Sequence, residues 1–344
     1  MNPPLETPAP SADGVTDAST PHELGLVFAF LIAADGAARR CDWDDVKQWR
    51  PGGDTTLWVH LDGFDEHSRH WLIQESGLSD IVSDALLAAE TRPRATEIGD
   101  GVLVILRGVN PNPRANPEDM VALRLWLERD RVVTVRRRRL RAVEDVRDAL
   151  DAGKGPHTAD RLLVALADRL VDRTQPVIAE LEDEVDALED ALVDTSSAEL
   201  RRTLGTLRRQ TVTLRRHIAP QRDALAQLQM RASALLSDAS RLRLREVADA
   251  VTRYVEDLDA TRDRAAVLHE ELAGRLSEHM NRTMYVLSLV TGVFLPLGLI
   301  TGLFGINVGG MPGIENPMAF TVVTAVLVGL AVLQVLLFRW LRYL

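Results

Sequence analysis

Toward the C-terminal end of the chain, a segment whose only charged residue is Arg282 carries a regular series of small and polar residues. Asn281, Met284, Ser288, Thr291, Leu295, Gly298, Gly302 and Gly305 recur at alternating steps of three and four, which puts them on one stripe of a helix. Val286, Leu289, Val293, Leu297 and Ile300 take the opposite side. Such a stripe through hydrocarbon is either a packing seam, for which Gly298-x-x-x-Gly302 has the right pattern, or the wall of a water-filled path. Gly305-Ile306-Asn307 closes the segment. There an asparagine can cap the helix in the left-handed conformation, or turn its amide oxygen to the waters of a hydrated ion.

Other candidate groups are scattered. His67 and His70 stand at i and i+3 on a predicted helix and offer two imidazoles suited to zinc, yet no cysteine pair or third ligand lies near them in sequence. A surface histidine pair is the competing reading. No Walker A, G-x-S-x-G, H-E-x-x-H or Gly-rich dinucleotide loop is present, so nothing points to an enzyme or to an ATP-driven pump. No cofactor is expected. Fifty acidic against 40 basic residues give a net charge of −10, which speaks against nucleic acid as a partner and favours cations. The arginines at 136–139 and 141, and the heptad-spaced Arg201, Arg208, Arg215 and Arg222, read as solvated or ion-paired faces. A lone Cys41 excludes an intrachain disulfide and suits a reducing cytosol.

The elements that must position these groups fall into four parts: residues 1–22, 23–155, 156–282 and 283–344. Residues 1–22 hold five prolines and no apolar run, and read as a disordered lead-in. Residues 23–155 alternate short β-like runs with helical patterns: strands over Leu26–Ile32, Thr56–Leu61, Val102–Arg107, Val121–Leu127 and Val132–Val135, helices over Glu66–Glu75 and Asp80–Ala89. Turns at Gly99-Asp100-Gly101 and Arg129-Asp130-Arg131 complete an α+β domain. From about Thr158 the period becomes helical and three long helices are implied. The first is acidic, with Ile178, Leu181, Val185, Leu188 and Leu192 as its apolar stripe. The second carries the arginines behind a Ser196–Glu199 capping box, so the two suggest an antiparallel hairpin held by opposed charge. Asp183, Asp186 and Asp190 on the acidic helix are candidates for sensing cytosolic cations, with charge pairing as the alternative. The third helix starts near Asp238 and meets no proline before Pro296. Carried on to Phe304 it is a stalk roughly 100 Å long, against a bilayer core of about 30 Å.

Between Thr283 and Ile314, and again between Asn316 and Phe338, there is no Asp, Glu, Lys or Arg. Two spans result, 284–304 and 318–338, joined by an outer loop at 305–317. Arg275, Arg282, Arg339 and Arg342 flank the spans and the loop holds only Glu315. By the positive-inside rule both termini are cytoplasmic and the loop faces out, where Glu315 can attract cations or merely solubilise. Neither span has an ionisable group in its interior to relay protons. Two spans cannot enclose a path, so conduction would need a closed ring of chains, and a membrane-anchored receptor or scaffold is the alternative.

The stretch YVLSLVTGVFLPLGLITGLFGINVGGMP, Tyr285–Pro312, resembles the CorA metal-ion transporters, and its GGMP continuation looks most like their zinc-transport (ZntB) branch. Gly305-Ile306-Asn307 stands where the family has Gly-Met-Asn, Pro296 matches the proline usual in this helix, and Thr91-Arg92-Pro93-Arg94 also looks family-like, although a turn before a strand explains it equally. The resemblance implies a funnel-shaped homopentamer in the cell (inner) membrane. In it the first spans line the pore and Asn307, with Gly305 and Ile306, forms the outer ring. It further implies pore-lining roles for Asn281, Met284, Ser288, Thr291, Leu295, Gly298 and Gly302, with Met284 and Leu295 as apolar gates. The expected cargo is zinc driven by ion gradients; a magnesium or cobalt channel of the same architecture is the alternative.

Overall fold

The computed structural model describes residues 24–110, 116, 118–194, 198–232, 234–305 and 317–340. They form two compact units, Met1–Val193 with Arg202–Ala266, and Asp194–Arg201 with Val267–Leu344.

The first unit is built on a seven-stranded sheet. Its strands are β1 (Leu26–Ala33), β2 (Ala38–Cys41), β3 (Thr55–Asp62), β4 (Arg94–Ile98), β5 (Gly101–Gly108), β6 (Val121–Leu127) and β7 (Arg131–Arg136), in the order β2-β1-β3-β7-β6-β5-β4. Only β3 and β7 pair in parallel. All seven residues of β6 are buried, so both faces of the sheet are covered. On one face lie α1 (Trp43–Gln48), α2 (Glu66–His70) with a π-helical turn through Trp71–Glu75, and α3 (Asp80–Leu87). There Trp43, Trp71, Leu72, Val82 and Leu86 pack against Leu57, Val59, Ile105 and Val133. α4 (Arg141–Asp151) and α5 (Ala159–Asp172) follow. α5 packs on β3, β5, β6 and β7, and Gly108 has no side chain because Leu140 and Leu170 fill its space.

The strands expected from apolar runs are all present. Those not foreseen, β2 (ARRC) and β4 (RATEI), are the two edges of the sheet. An edge strand keeps charged residues and short length to discourage pairing with another chain, which removes the apolar signal.

The long helices are α6 (Gln175–Asp194), α7 (Ala198–Arg231), α8 (Asp238–Phe304) and α9 (Ala319–Trp340). The expected apolar stripe of α6, Ile178, Leu181, Val185, Leu188 and Leu192, is buried, and so are Leu204, Leu207, Leu214 and Ile218 on α7 and Leu244, Val247, Val251 and Leu258 on α8. Opposed charge is satisfied differently from the expected hairpin. Arg264 of α8 reaches Asp186 (2.5 Å) and Glu189 (2.7 Å) of α6, and Arg215 of α7 lies 2.6 Å from Asp259 of α8. Among the described residues no ion pair joins α6 to α7; α8 serves as counterion to both. Ser196, of the expected capping box, lies outside the described residues.

Side chains pin this bundle to the sheet unit. Past the point where β4 stops covering β5, the backbone N–H of Arg107 donates to Oε1 of buried Gln221 on α7 (2.7 Å). The buried carboxylate of Asp160 accepts from Ser237 N (3.1 Å) and Oγ (2.6 Å) at the start of α8, and from the Thr158 hydroxyl. Burial alone would raise its pKa, but these hydrogen bonds outweigh that and hold it down at about 2.

Candidate functional site

Apolar sequence keeps α8 helical well beyond the soluble unit, and the threonines in it are self-satisfied. The hydroxyls of Thr283, Thr291 and Thr301 donate to carbonyls one turn back, at His279 (3.0 Å), Leu287 (2.8 Å) and Leu297 (2.9 Å). Each therefore keeps its oxygen lone pairs available to a water or an ion while costing the bilayer little. Both α8 and α9 hold stretches long and apolar enough to cross a membrane.

The second unit settles which side of α8 meets α9. Leu289, Gly292, Val293, Pro296, Leu297 and Ile300 are half-buried, as are Val323, Leu327, Leu330, Gln334 and Phe338 on α9. A methyl group at Gly292 would stand 3.0 Å from the Phe338 ring. The small and polar stripe turns away from this contact. Asn281, Met284, Ser288, Thr291, Leu295, Gly298 and Gly302 are all exposed, and Met284 and Leu295 reach 63% and 70% exposure. The helix ends at Phe304, where the Gly305 N–H closes onto the carbonyls of Thr301 (2.9 Å) and Gly302 (3.1 Å). Ile306, Asn307 and Glu315 lie outside the described residues.

Elsewhere the sequence candidates are drawn into the fold. The ring of His67 stacks edge-on against Trp43, and Nε2 of His70 lies 3.6 Å from Glu75. Among the described residues no three His, Cys, Asp or Glu side chains converge as a metal site. In the arginine run, Arg136 pairs with Asp62, Arg139 and Arg141 with Glu144, and Arg137 donates to the Leu87 carbonyl (3.0 Å). Thr91 is a buried turn residue before β4 whose carbonyl accepts from Arg107 (2.6 Å). On α6, burial raises the pKa of Glu182, and Asp257, Asp186 and Asp183 raise it further.

Two features escaped the sequence reading. His60 is fully enclosed, its Nδ1 2.8 Å from the Thr134 hydroxyl, and burial pushes its pKa well below 6.5. It is a neutral core residue, and only its place in an apolar strand hinted at that. Gln334 is the sole amide in the apolar run of α9, and that isolation was its signal.

A covered α+β unit, a helix of 67 residues and a second apolar helix together have the build of a two-span membrane protein. Residues 53–342 match the family model described as CorA-like Mg2+ transporter protein. The chain is 39% identical over 324 residues to the divalent cation transporter CmaX of Pseudomonas aeruginosa, covering 94% of this chain and 98% of that one. It is 34% identical over 296 residues to the zinc transport protein ZntB of Pectobacterium carotovorum, covering 86% and 89%. The solved structure of full-length CmaX superimposes with a TM-score of 0.83 over 93% of this chain and 98% of its own. The chain belongs to the CorA family of divalent-cation transporters.

Proposed function

We propose that the chain carries zinc across the cell (inner) membrane through a central path lined by the α8 stripes of five identical copies. The observation that carries this reading is the outward stripe: α9 occupies the opposite side of α8, so the hydroxyls and glycines are left for other copies and for water. Relatives at 34–39% identity named for zinc and for divalent cations support the choice of ion.

In this reading both termini are cytoplasmic, because Arg275, Arg282, Arg339 and Arg342 flank the spans and the outer loop holds only Glu315. Five helix ends converging at Gly305 turn partial negative charge outward, which favours a cation there. Gly305, Ile306 and Asn307 form the outer ring, and the Asn307 amides receive the ion with its water shell, since stripping a small divalent ion is costly. Below them Leu295 and Met284 are constrictions that close by excluding water. Ser288, Thr291 and Asn281 supply neutral oxygens, and Gly298 and Gly302 let the copies approach. With no ionisable group inside either span, the ion moves through water down a gradient.

Zinc and magnesium entry into proteoliposomes, with Asn307→Ala beside the parent protein, tests the proposal. Zinc flux that falls tenfold or more in the variant supports it. Magnesium flux alone promotes the second reading, a magnesium or cobalt channel, which the family description favours. No flux of either ion leaves a membrane-anchored receptor.

A further inference from the structure

Gln334 lies on the row of α9 that faces α8, and its Oε1 is buried without any hydrogen-bond partner. One turn further along that row, Phe338 meets Gly292. α9 returns antiparallel along α8, so stepping back one turn from Phe338 to Gln334 matches stepping forward one turn from Gly292 to Pro296. Pro296 lies inside α8 and has no N–H. The carbonyl of Gly292, four residues earlier, is thereby deprived of its helical donor. An amide oxygen without a partner and a carbonyl without its helical donor therefore stand at one level of the same helix contact, in surroundings where each unsatisfied polar group is costly.

The oxygen and nitrogen of a glutamine amide exchange places by a half-turn about the last side-chain bond, with almost no change of shape. We propose that Gln334 presents Nε2 to α8 and donates a hydrogen bond to the Gly292 carbonyl, fastening the proline-interrupted turn of α8 to α9. Gln334 is then a positioning residue. It touches no ion, and it fixes the direction of α8 on either side of Pro296. The stripe residues Thr291 and Leu295 belong to this same stretch, so the clamp sets how they face the path. That last step rests on the transport reading above; the hydrogen bond itself does not.

The test is a double-mutant cycle on the full chain in phospholipid nanodiscs, with the thermal midpoint of helical circular dichroism as readout. An idle amide in hydrocarbon predicts that Gln334→Leu raises the midpoint; a clamp predicts that it lowers it. In Pro296→Ala the restored N–H satisfies Gly292, so Gln334→Leu no longer lowers the midpoint. The expected coupling is about threefold in the unfolding equilibrium, typical of one interhelical hydrogen bond in lipid. A raised midpoint for Gln334→Leu, or an equal drop in both backgrounds, overturns the proposal. Should Pro296→Ala not reconstitute, the sign of the shift in Gln334→Met, which keeps the side-chain length and removes the donor, decides it. Zinc flux through the same proteins separates the two readings. Intact coupling with altered flux supports both, and intact coupling with unaltered flux keeps the clamp and counts against α8 as the wall of the path.

Discussion

The sheet unit and the apolar helix pair solve opposite problems. In the sheet unit nearly every large apolar side chain of the strands is enclosed by the chain itself, and buried polar groups such as His60, Ser68 and Thr134 have partners. In the helix pair no residue of α9 is buried, and the stripe of α8 lies open. Yet the second surface is the more apolar of the two. A soluble core is completed by chain folding, whereas the helix pair leaves its surface to be completed from outside, in the proposed function by lipid on its apolar sides and by further copies on its small-residue side. The same type of substitution must therefore have different consequences in the two regions.

The largest contrast is expected from leucine truncation. Leu125 is fully enclosed in β6, and Leu125→Ala should cost about 2–5 kcal/mol by loss of burial and creation of a cavity. Five of the six tryptophans lie in the sheet unit, so denaturant titration followed by tryptophan emission reads this loss. Leu295→Ala should leave that titration unmoved and change ion flux instead. Equal destabilisation by both would end the distinction between the two regions.

A smaller effect comes from glycines on the two sides of α8. A methyl group at Gly292 meets Phe338, while Gly298 has open space in the single chain. If copies pack on the stripe, Gly298→Leu should shift the particle toward smaller assemblies in light scattering and leave the α8–α9 contact intact. An unchanged mass would show that Gly298 faces lipid or a wide path.

The smallest effect is the response to pH, and it should belong to the soluble unit alone. The folded state holds the pKa of His60 below its unfolded value of 6.5. Its contribution is therefore complete above pH 6.5 and declines as pH falls below that value. Asp160 acts at lower pH. Held at about 2 against 3.8 in the unfolded chain, it stabilises fully above about pH 4 and loses about 2 kcal/mol as pH falls through 2. Asp160→Asn should remove this lower step from thermal unfolding measured against pH. Persistence of the step would assign it to another carboxylate.

Much of this was legible in the sequence because one periodicity governed each region. Alternating apolar runs marked the inner strands, and three-four spacing marked α6, α7 and α8 through to the stripe that ends at Gly305. The charged edges β2 and β4 were illegible because their solvent-facing role erases the apolar signal. The counterions of α6 and α7 were misread because helix charge shows which faces attract but not which third helix comes between them. Within the site, the stripe was visible as a pattern, but its outward direction became clear only through the row of α9 against Gly292. The relation of Gln334 to Pro296 needed that same contact.

The continuity of α8 has a geometric consequence. A straight α-helix turns about 100° per residue, so within the second unit a position along α8 is also a position around it. Adding one residue between Ser288 and Thr291 would turn every later side chain by about 100° from Asn281, Met284 and Ser288 and carry the outer part of the polar stripe to another side of the helix. Adding seven would return it to within about 20°. The spacing of the stripe thus encodes a phase as well as a composition.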